Sequence, residues 1–207
     1  RVDKELLSTH HEGLIALSSC LHGEIPSHLL AASYTRAEQA AFEYRDIFGK
    51  DNFYLEIQAN GIAEQEIVNR DLVHMSEKTG IPVVATNDCH YLRAEDARAH
   101  DVLLCIQTGK TVFEEKRMRF STSELFFKSP DQMWSKFRDV PIALQNTLAI
   151  AERCQVSLEL DQPHFPEFPL EPNESAESRF EQETKQGFAW RIEEIQKKRP
   201  DFSRELK

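Results

Sequence analysis

An α/β fold with parallel strands is the class this sequence predicts, and three observations predict it. Short apolar runs recur that are too brief for helices, amphipathic stretches at helical spacing separate them, and glycine or proline marks the boundaries. The run Gly13-Leu14-Ile15-Ala16-Leu17-Ser18-Ser19 predicts a buried strand. Tyr34, Ala37, Ala41, Tyr44 and Ile47 or Phe48 predict a helix closed by Gly49 as its C′ residue. Asn52-Phe53-Tyr54-Leu55-Glu56-Ile57 predicts a second strand. A helix starting at Ile62 places Val68, Leu72 and Met75 on one face and stops at Gly80. The third strand is the β-branched Ile81-Pro82-Val83-Val84-Ala85-Thr86, and a further helix covers Ala97 to Ile106. Strands that are apolar throughout belong in a parallel sheet covered by helices, open or closed into a barrel.

After about residue 110 the rhythm changes. Arg119-Phe120-Ser121-Thr122 and Glu124-Leu125-Phe126-Phe127-Lys128 read as short extended pieces. Ser129 is an N-cap with Pro130 at N1 of a short helix, and Asp139-Val140-Pro141 opens a longer one carrying Leu144, Leu148 and Ala151. Gln162 to Pro169 is a connector that proline keeps from being helical. Glu174 to Lys198 is a charged helix with a sparse apolar side of Phe180, Phe188, Trp190 and Ile192. A domain boundary is expected at 162–173, between a main domain at 1–161 and a helical segment at 174–207.

Composition narrows the function classes. With 40% hydrophobic and 29% charged residues the chain has a globular rather than a disordered profile. No run approaches the roughly 20 apolar residues of a membrane span. Arg1-Val2-Asp3-Lys4 has no apolar signal region and no initiator Met, so a processed or truncated cytoplasmic chain is expected. Cys20, Cys89, Cys105 and Cys154 form no CxxC pair, which points to free thiols in a reducing compartment rather than a zinc knuckle. A net charge of −10 speaks against this segment gripping nucleic acid by itself.

Parallel α/β folds collect functional groups at the carboxyl ends of their strands. The first strand here runs into Ser19-Cys20, the second into Gln58, and the third into Asn87-Asp88-Cys89-His90. In extended backbone Asp88 and His90 share a face and Cys89 takes the other. A carboxylate and an imidazole so placed suit Zn²⁺, Mn²⁺ or Fe, with Cys20 adding a thiolate; the alternative is a plain hydrogen-bonded pair. His10-His11 precedes the first strand and reads as solvated. His22 follows Cys20 towards solvent, His74 lies among helical charges, and His100 with Asp101 reads as a helix-start pair. Glu24 suits the positive end of the next helix. Cys105 and Cys154 read as core. Lys110, Lys116, Arg117 and Arg119 form a basic cluster, to be read as a solvated loop or as phosphate contacts; Gly109-Lys110 is no P-loop, for lack of the earlier glycine.

Three longer stretches carry a resemblance. Glu12-Gly13-Leu14-Ile15-Ala16-Leu17-Ser18-Ser19-Cys20-Leu21-His22-Gly23-Glu24, then Ala85-Thr86-Asn87-Asp88-Cys89-His90-Tyr91-Leu92, then Ala99-His100-Asp101-Val102-Leu103-Leu104-Cys105-Ile106-Gln107-Thr108-Gly109-Lys110 resemble, in order and spacing, segments of the C-family bacterial DNA polymerase III alpha subunits. The likeness covers most of residues 12 to 170.

The resemblance implies a partial polymerase-and-histidinol-phosphatase (PHP) domain, a distorted barrel of parallel strands with a metal cluster at the strand ends, followed by a mainly helical extension entering a palm domain. It implies that Cys20, Asp88 and His90 match metal ligands, for Zn or Mn, of a site used for 3′–5′ exonuclease proofreading or kept as a scaffold. The family's opening HxH motif is missing, so the other ligands are expected before Arg1 and the palm's Mg-binding aspartates beyond Lys207. Implied partners are primer-template DNA, deoxynucleotides, a sliding clamp and a separate proofreading exonuclease, with Lys110, Arg117 and Arg119 as candidate nucleic-acid contacts. A stand-alone PHP phosphoesterase is disfavoured by the stretch at 99–110.

Overall fold

The computed structural model describes residues 2–158, 160–163 and 165–199. The chain divides into two compact units, residues 1–155 and residues 156–207. The first unit holds a three-stranded parallel sheet, ordered β1 (Ala16–Leu17), β2 (Phe53–Gln58), β3 (Val83–Thr86). This is a partial PHP-type α/β fold. The sheet begins shorter than its sequence predicts. The apolar run from Gly13 yields only two paired residues, because Leu14 and Leu17 lie at the margin, 48% and 37% exposed, and only Ala16 and Leu17 align with Phe53 and Tyr54.

Helices cover the sheet through its crossovers. From β1 the chain passes through α2 (Glu24–Leu30) and α3 (Tyr34–Phe48) to β2, and α4 (Ala63–Thr79) then carries it to β3. Gly49 and Gly80 end α3 and α4 at φ 89° and 73°, left-handed backbone that a side chain would strain. The central strand β2 is the most buried, with Phe53, Leu55 and Ile57 at 1% exposure or less. These pack with Ile25, Ala37, Ala41, Val68, Leu72 and Met75 from the three crossover helices. Each fully buried Leu, Ile or Phe contributes roughly 1.5–3 kcal/mol of transfer free energy, so this cluster is the main stabilising element.

Two helices escape the periodicity argument. The first, α1 (Lys4–Thr9), is capped by Asp3, whose carboxylate accepts from Leu6 N. The other is α2, whose Pro26 lies in the first turn, where no intrahelical amide is lost. Lys4 ties them together, with Nζ 2.8 Å from Glu24 and 2.7 Å from Glu43 of α3.

Past β3, a 3₁₀ turn at Ala94–Asp96 leads into α5 (Ala97–Thr108), where Cys105 is buried as expected. Of the two extended pieces expected at 119–128, only Phe126 pairs, in a single parallel bridge with Tyr91. Next is α6 (Pro130–Lys136), where Ser129 and Gln132 form a reciprocal capping box. In α7 (Pro141–Arg153), Ala143 and Leu144 face the core, and Asn146 Nδ2 donates to Val83 O at 2.7 Å, satisfying an edge carbonyl of β3. Leu148 is 66% exposed, so the helical spacing marks a shorter buried stripe than the sequence predicts. Cys154, expected in the core, is exposed at the end of α7. All four cysteines are free.

The second unit carries the proline-punctuated segment and α8 (Ala176–Lys198), opened by a Ser175–Ser178 capping box. Its Phe180, Phe188 and Trp190 are exposed, and Arg179 pairs with Glu183 along the helix and with Glu174 just before it. No helix among the described residues is long and apolar enough to cross a membrane.

Candidate metal centre

Parallel pairing brings the carboxyl ends of all three strands to one edge of the sheet, and that edge is built from polar side chains. Ser18 Oγ accepts from Glu56 N at 2.8 Å, linking the end of β1 to β2. Thr86 of β3 donates to the Glu56 carboxylate, and Gln58 Nε2 donates to it at 3.0 Å. Gln65 and Asn69 of α4 complete the layer by bonding Gln58 Oε1 at 3.0 Å and Gln58 O at 2.7 Å. Gln58, Asn60, Gln65 and Lys128 are all buried here. Buried polar groups must be paired to be tolerated, and nearly all of these are. The exception is Asn60 Nδ2, buried without a partner.

Lys128 closes the layer from the far side. Its side chain is 1% exposed, and Nζ donates to Asn87 Oδ1 at 2.9 Å, to Asn60 Oδ1 at 3.4 Å and to Glu124 O. Burial holds its ammonium below the ordinary lysine value, with the Glu124 carboxylate pulling the other way. Asn87 in turn donates to Phe126 O and, at 3.1 Å, to Cys89 Sγ. Backbone bonds from His90 N to Leu125 O (2.8 Å) and from Phe127 N to Tyr91 O (3.1 Å) clamp the same two segments. The loop after β3 is therefore fixed by residues nearly forty positions downstream.

Asp88 and His90 sit on this clamped loop, but not by strand alternation. The strand stops at Thr86, and Asp88 adopts φ 52°, the left-handed region that short polar side chains tolerate best. A turn rather than a pleat brings the two together. His90 Nδ1 lies 3.8 Å from Asp88 Oδ1, an ion-pair distance, and 2.8 Å from Asp88 O. A carbonyl only accepts, so Nδ1 is the donor in the contact with Asp88 O, and in the neutral ring this arrangement leaves Nε2 to face another ligand. Cys20 follows β1, with Sγ 4.0 Å from His22 Nδ1, and shares a small pocket with Glu56 and Gln58.

Among the described residues no three His, Cys, Asp or Glu side chains gather where they could hold a metal ion. Cys20 with His22, and Asp88 with His90, are thus two partial donor sets, and the described residues alone do not complete a metal site.

The remaining sequence candidates fall outside this layer. His10 and His11 bond locally around the end of α1. His74 lies against the Tyr34 ring, 6.1 Å between centroids. Glu24 takes the first turn of α2. The basic cluster divides: Lys110 pairs with Glu114 at 3.0 Å, Arg117 pairs with Asp101 at 2.6 Å, and Arg119 is exposed. Asp101 therefore serves Arg117 rather than His100. His100 instead packs edge-on against His90, 5.5 Å between centroids, with the Phe120 ring 4.9 Å from His90. Sequence reading missed Lys128 and His100 as parts of this region, since their partners are distant in the chain.

The comparisons agree with this architecture. The PHP domain family matches residues 1–60. A DNA polymerase III subunit alpha of Campylobacter jejuni is 41% identical over 178 residues, 81% of this chain and 15% of the relative. That of Borreliella burgdorferi is 39% identical over 204 residues, 97% of this chain and 18% of the relative. The chain is homologous to a segment of the DNA polymerase III alpha subunits. The Thermus aquaticus alpha subunit, 43% identical over 178 residues, covers 82% of the chain, which again spans 14% of that relative. The chain thus spans less than a fifth of the length of these alpha subunits.

Proposed function

We propose that the chain works as part of a DNA-directed DNA polymerase of bacterial chromosome replication. The observation that carries this is the identity of about 40% to alpha subunits over as much as 97% of the chain. In this reading residues 1–161 are the C-terminal part of a PHP domain, 162–173 a linker and 174–207 the entry to a palm domain. Cys20, Asp88 and His90 contribute to a Zn- or Mn-binding PHP site whose further donors lie outside the described residues. The class of chemistry is phosphodiester hydrolysis, used for 3′–5′ proofreading. The carboxylates that hold Mg for nucleotide transfer are supplied from outside this chain. Primer-template DNA, deoxynucleotides, a sliding clamp and a proofreading exonuclease are its partners, in the cytoplasm.

A second reading keeps the same fold and makes the domain a scaffold that holds a separate proofreading subunit. Primer extension separates the polymerase assignment from both. The full-length protein should incorporate deoxynucleotides opposite a template, and the 207-residue chain alone should not. Incorporation by the chain alone, or none by the full-length protein, contradicts the assignment. Release of mononucleotides from a mismatched 3′ end by the full-length protein then favours hydrolysis over the scaffold.

A further inference from the structure

Beside the Asp88–His90 loop lies a cleft of about 380 Å³ between α5 and the segment at 117–123. Its lining is basic in a chain whose net charge is −10. Three arginines contribute, and their states differ. Arg117 is spent: its side chain is 7% exposed, and both terminal nitrogens bond Asp101, at 2.6 and 2.8 Å. That pairing neutralises the one carboxylate in the lining. The hydrogen bonds from Arg117 hold Asp101 below the ordinary carboxylate value, against its desolvation, and Arg119 and His100 act in the same direction. Arg98 and Arg119 are exposed, and neither makes a hydrogen bond or ion pair among the described residues. Two cations thus line the same cleft with no carboxylate in hydrogen-bond or ion-pair contact. Its wall also keeps unused hydrogen-bonding capacity, since Tyr91 Oη and Arg117 Nε are buried without partners.

An aromatic surface completes the arrangement. Phe120 is 37% exposed and packs its ring against His90 and His100. Unpaired arginines beside an accessible ring are what a single nucleic-acid strand needs, charge for the phosphates and a face for a base. We propose that this cleft binds the phosphodiester backbone of single-stranded DNA, with Arg98 and Arg119 on adjacent phosphates and a base against Phe120. The choice of a DNA strand over another phosphate ester rests on the polymerase reading; the anion chemistry rests on the cleft itself. The basic cluster at 110–119 is thereby redistributed: Lys110 and Arg117 are internal partners, and Arg98 replaces them as a contact.

The test is fluorescence anisotropy with a labelled oligothymidylate of twelve nucleotides, in EDTA and low salt, on the full chain. Far-UV circular dichroism on each variant confirms the fold. Arg98→Gln together with Arg119→Gln should weaken binding at least fivefold. It should also flatten the slope of log affinity against log salt by about 1.4, two contacts at about 0.7 each. The charge-matched pair Lys50→Gln with Arg138→Gln, on exposed residues outside the cleft, should leave the slope unchanged. Phe120→Leu, which keeps apolar packing, should weaken the oligonucleotide at least fivefold without changing the slope.

Absence of binding by the wild-type chain, or equal losses in the cleft and control pairs, overturns the proposal. Displacement by inorganic phosphate as effective, per phosphate, as by unlabelled oligonucleotide overturns the strand and leaves a simple anion site. EDTA keeps the result independent of the metal reading. A chain that binds no strand, in a full-length protein that still extends primers, sinks the cleft alone.

Discussion

The ammonium of Lys128 lies 2.9 Å from Oδ1 of Asn87, joining the segment before α6 to the loop after β3. This bond and the Tyr91–Phe126 bridge position the only stretch that carries both Asp88 and His90. Lys128→Met removes the donor and leaves Asn60, Asn87 and the Glu124 carbonyl without it. The expected cost is about 1–3 kcal/mol in urea unfolding. An unchanged midpoint would show that the clamp is not needed.

The same lysine gives a pH prediction. Its folded value lies below the ordinary one, so between the two the unfolded chain binds more protons and stability rises with pH. The stability advantage of wild type over Lys128→Met should therefore widen as pH climbs through the alkaline range just below the ordinary lysine value. A constant difference across that range contradicts the burial argument.

Asp88 occupies left-handed backbone, so its side chain and its conformation can be tested apart. Asp88→Gly should be more stable than Asp88→Ala by about 1 kcal/mol, because only glycine meets that backbone without strain. Equal stability would place the loop in another conformation.

At the start of α2, burial pushes the Glu24 carboxyl up, but hydrogen bonds from Lys4 and Tyr44 outweigh it and leave the group below its ordinary value. A carboxylate depressed in this way adds stability above the ordinary value and loses it as pH falls through the folded one. Lys4→Ala should shift the Glu24 titration, followed by carboxyl NMR, to higher pH and narrow the acid stability range. The loss at neutral pH should be small, about 0.5 kcal/mol, since both side chains are a third or more exposed. An unmoved titration contradicts the pairing.

Much of the fold was legible because it is written locally. Gly49 and Gly80 end their helices where expected, the Ser129–Pro130 start is in place, and the three strands fall on their apolar runs, β2 running one residue further to Gln58. What failed depends on distant partners or on very short elements. The six residues of α1 are too few for periodicity to register, and only Ala16 and Leu17 of the first run align in strand register with β2. Asp88 and His90 were visible as a pair at a strand end, yet their contact comes from a left-handed turn that no apolar pattern encodes. Lys128 looked like the end of an extended piece, because its acceptors, Asn60 and Asn87, stand 68 and 41 residues away.

The central claim is that Cys20, Asp88 and His90 are donors of one metal-dependent PHP site, and elemental analysis of the purified full-length protein tests it most directly. The account predicts bound Zn or Mn in the wild type and a clear fall in Asp88→Ala combined with His90→Ala, with a further fall when Cys20→Ser is added. Bound metal unchanged in the triple variant, or none in the wild type after metal-replete expression, would contradict it.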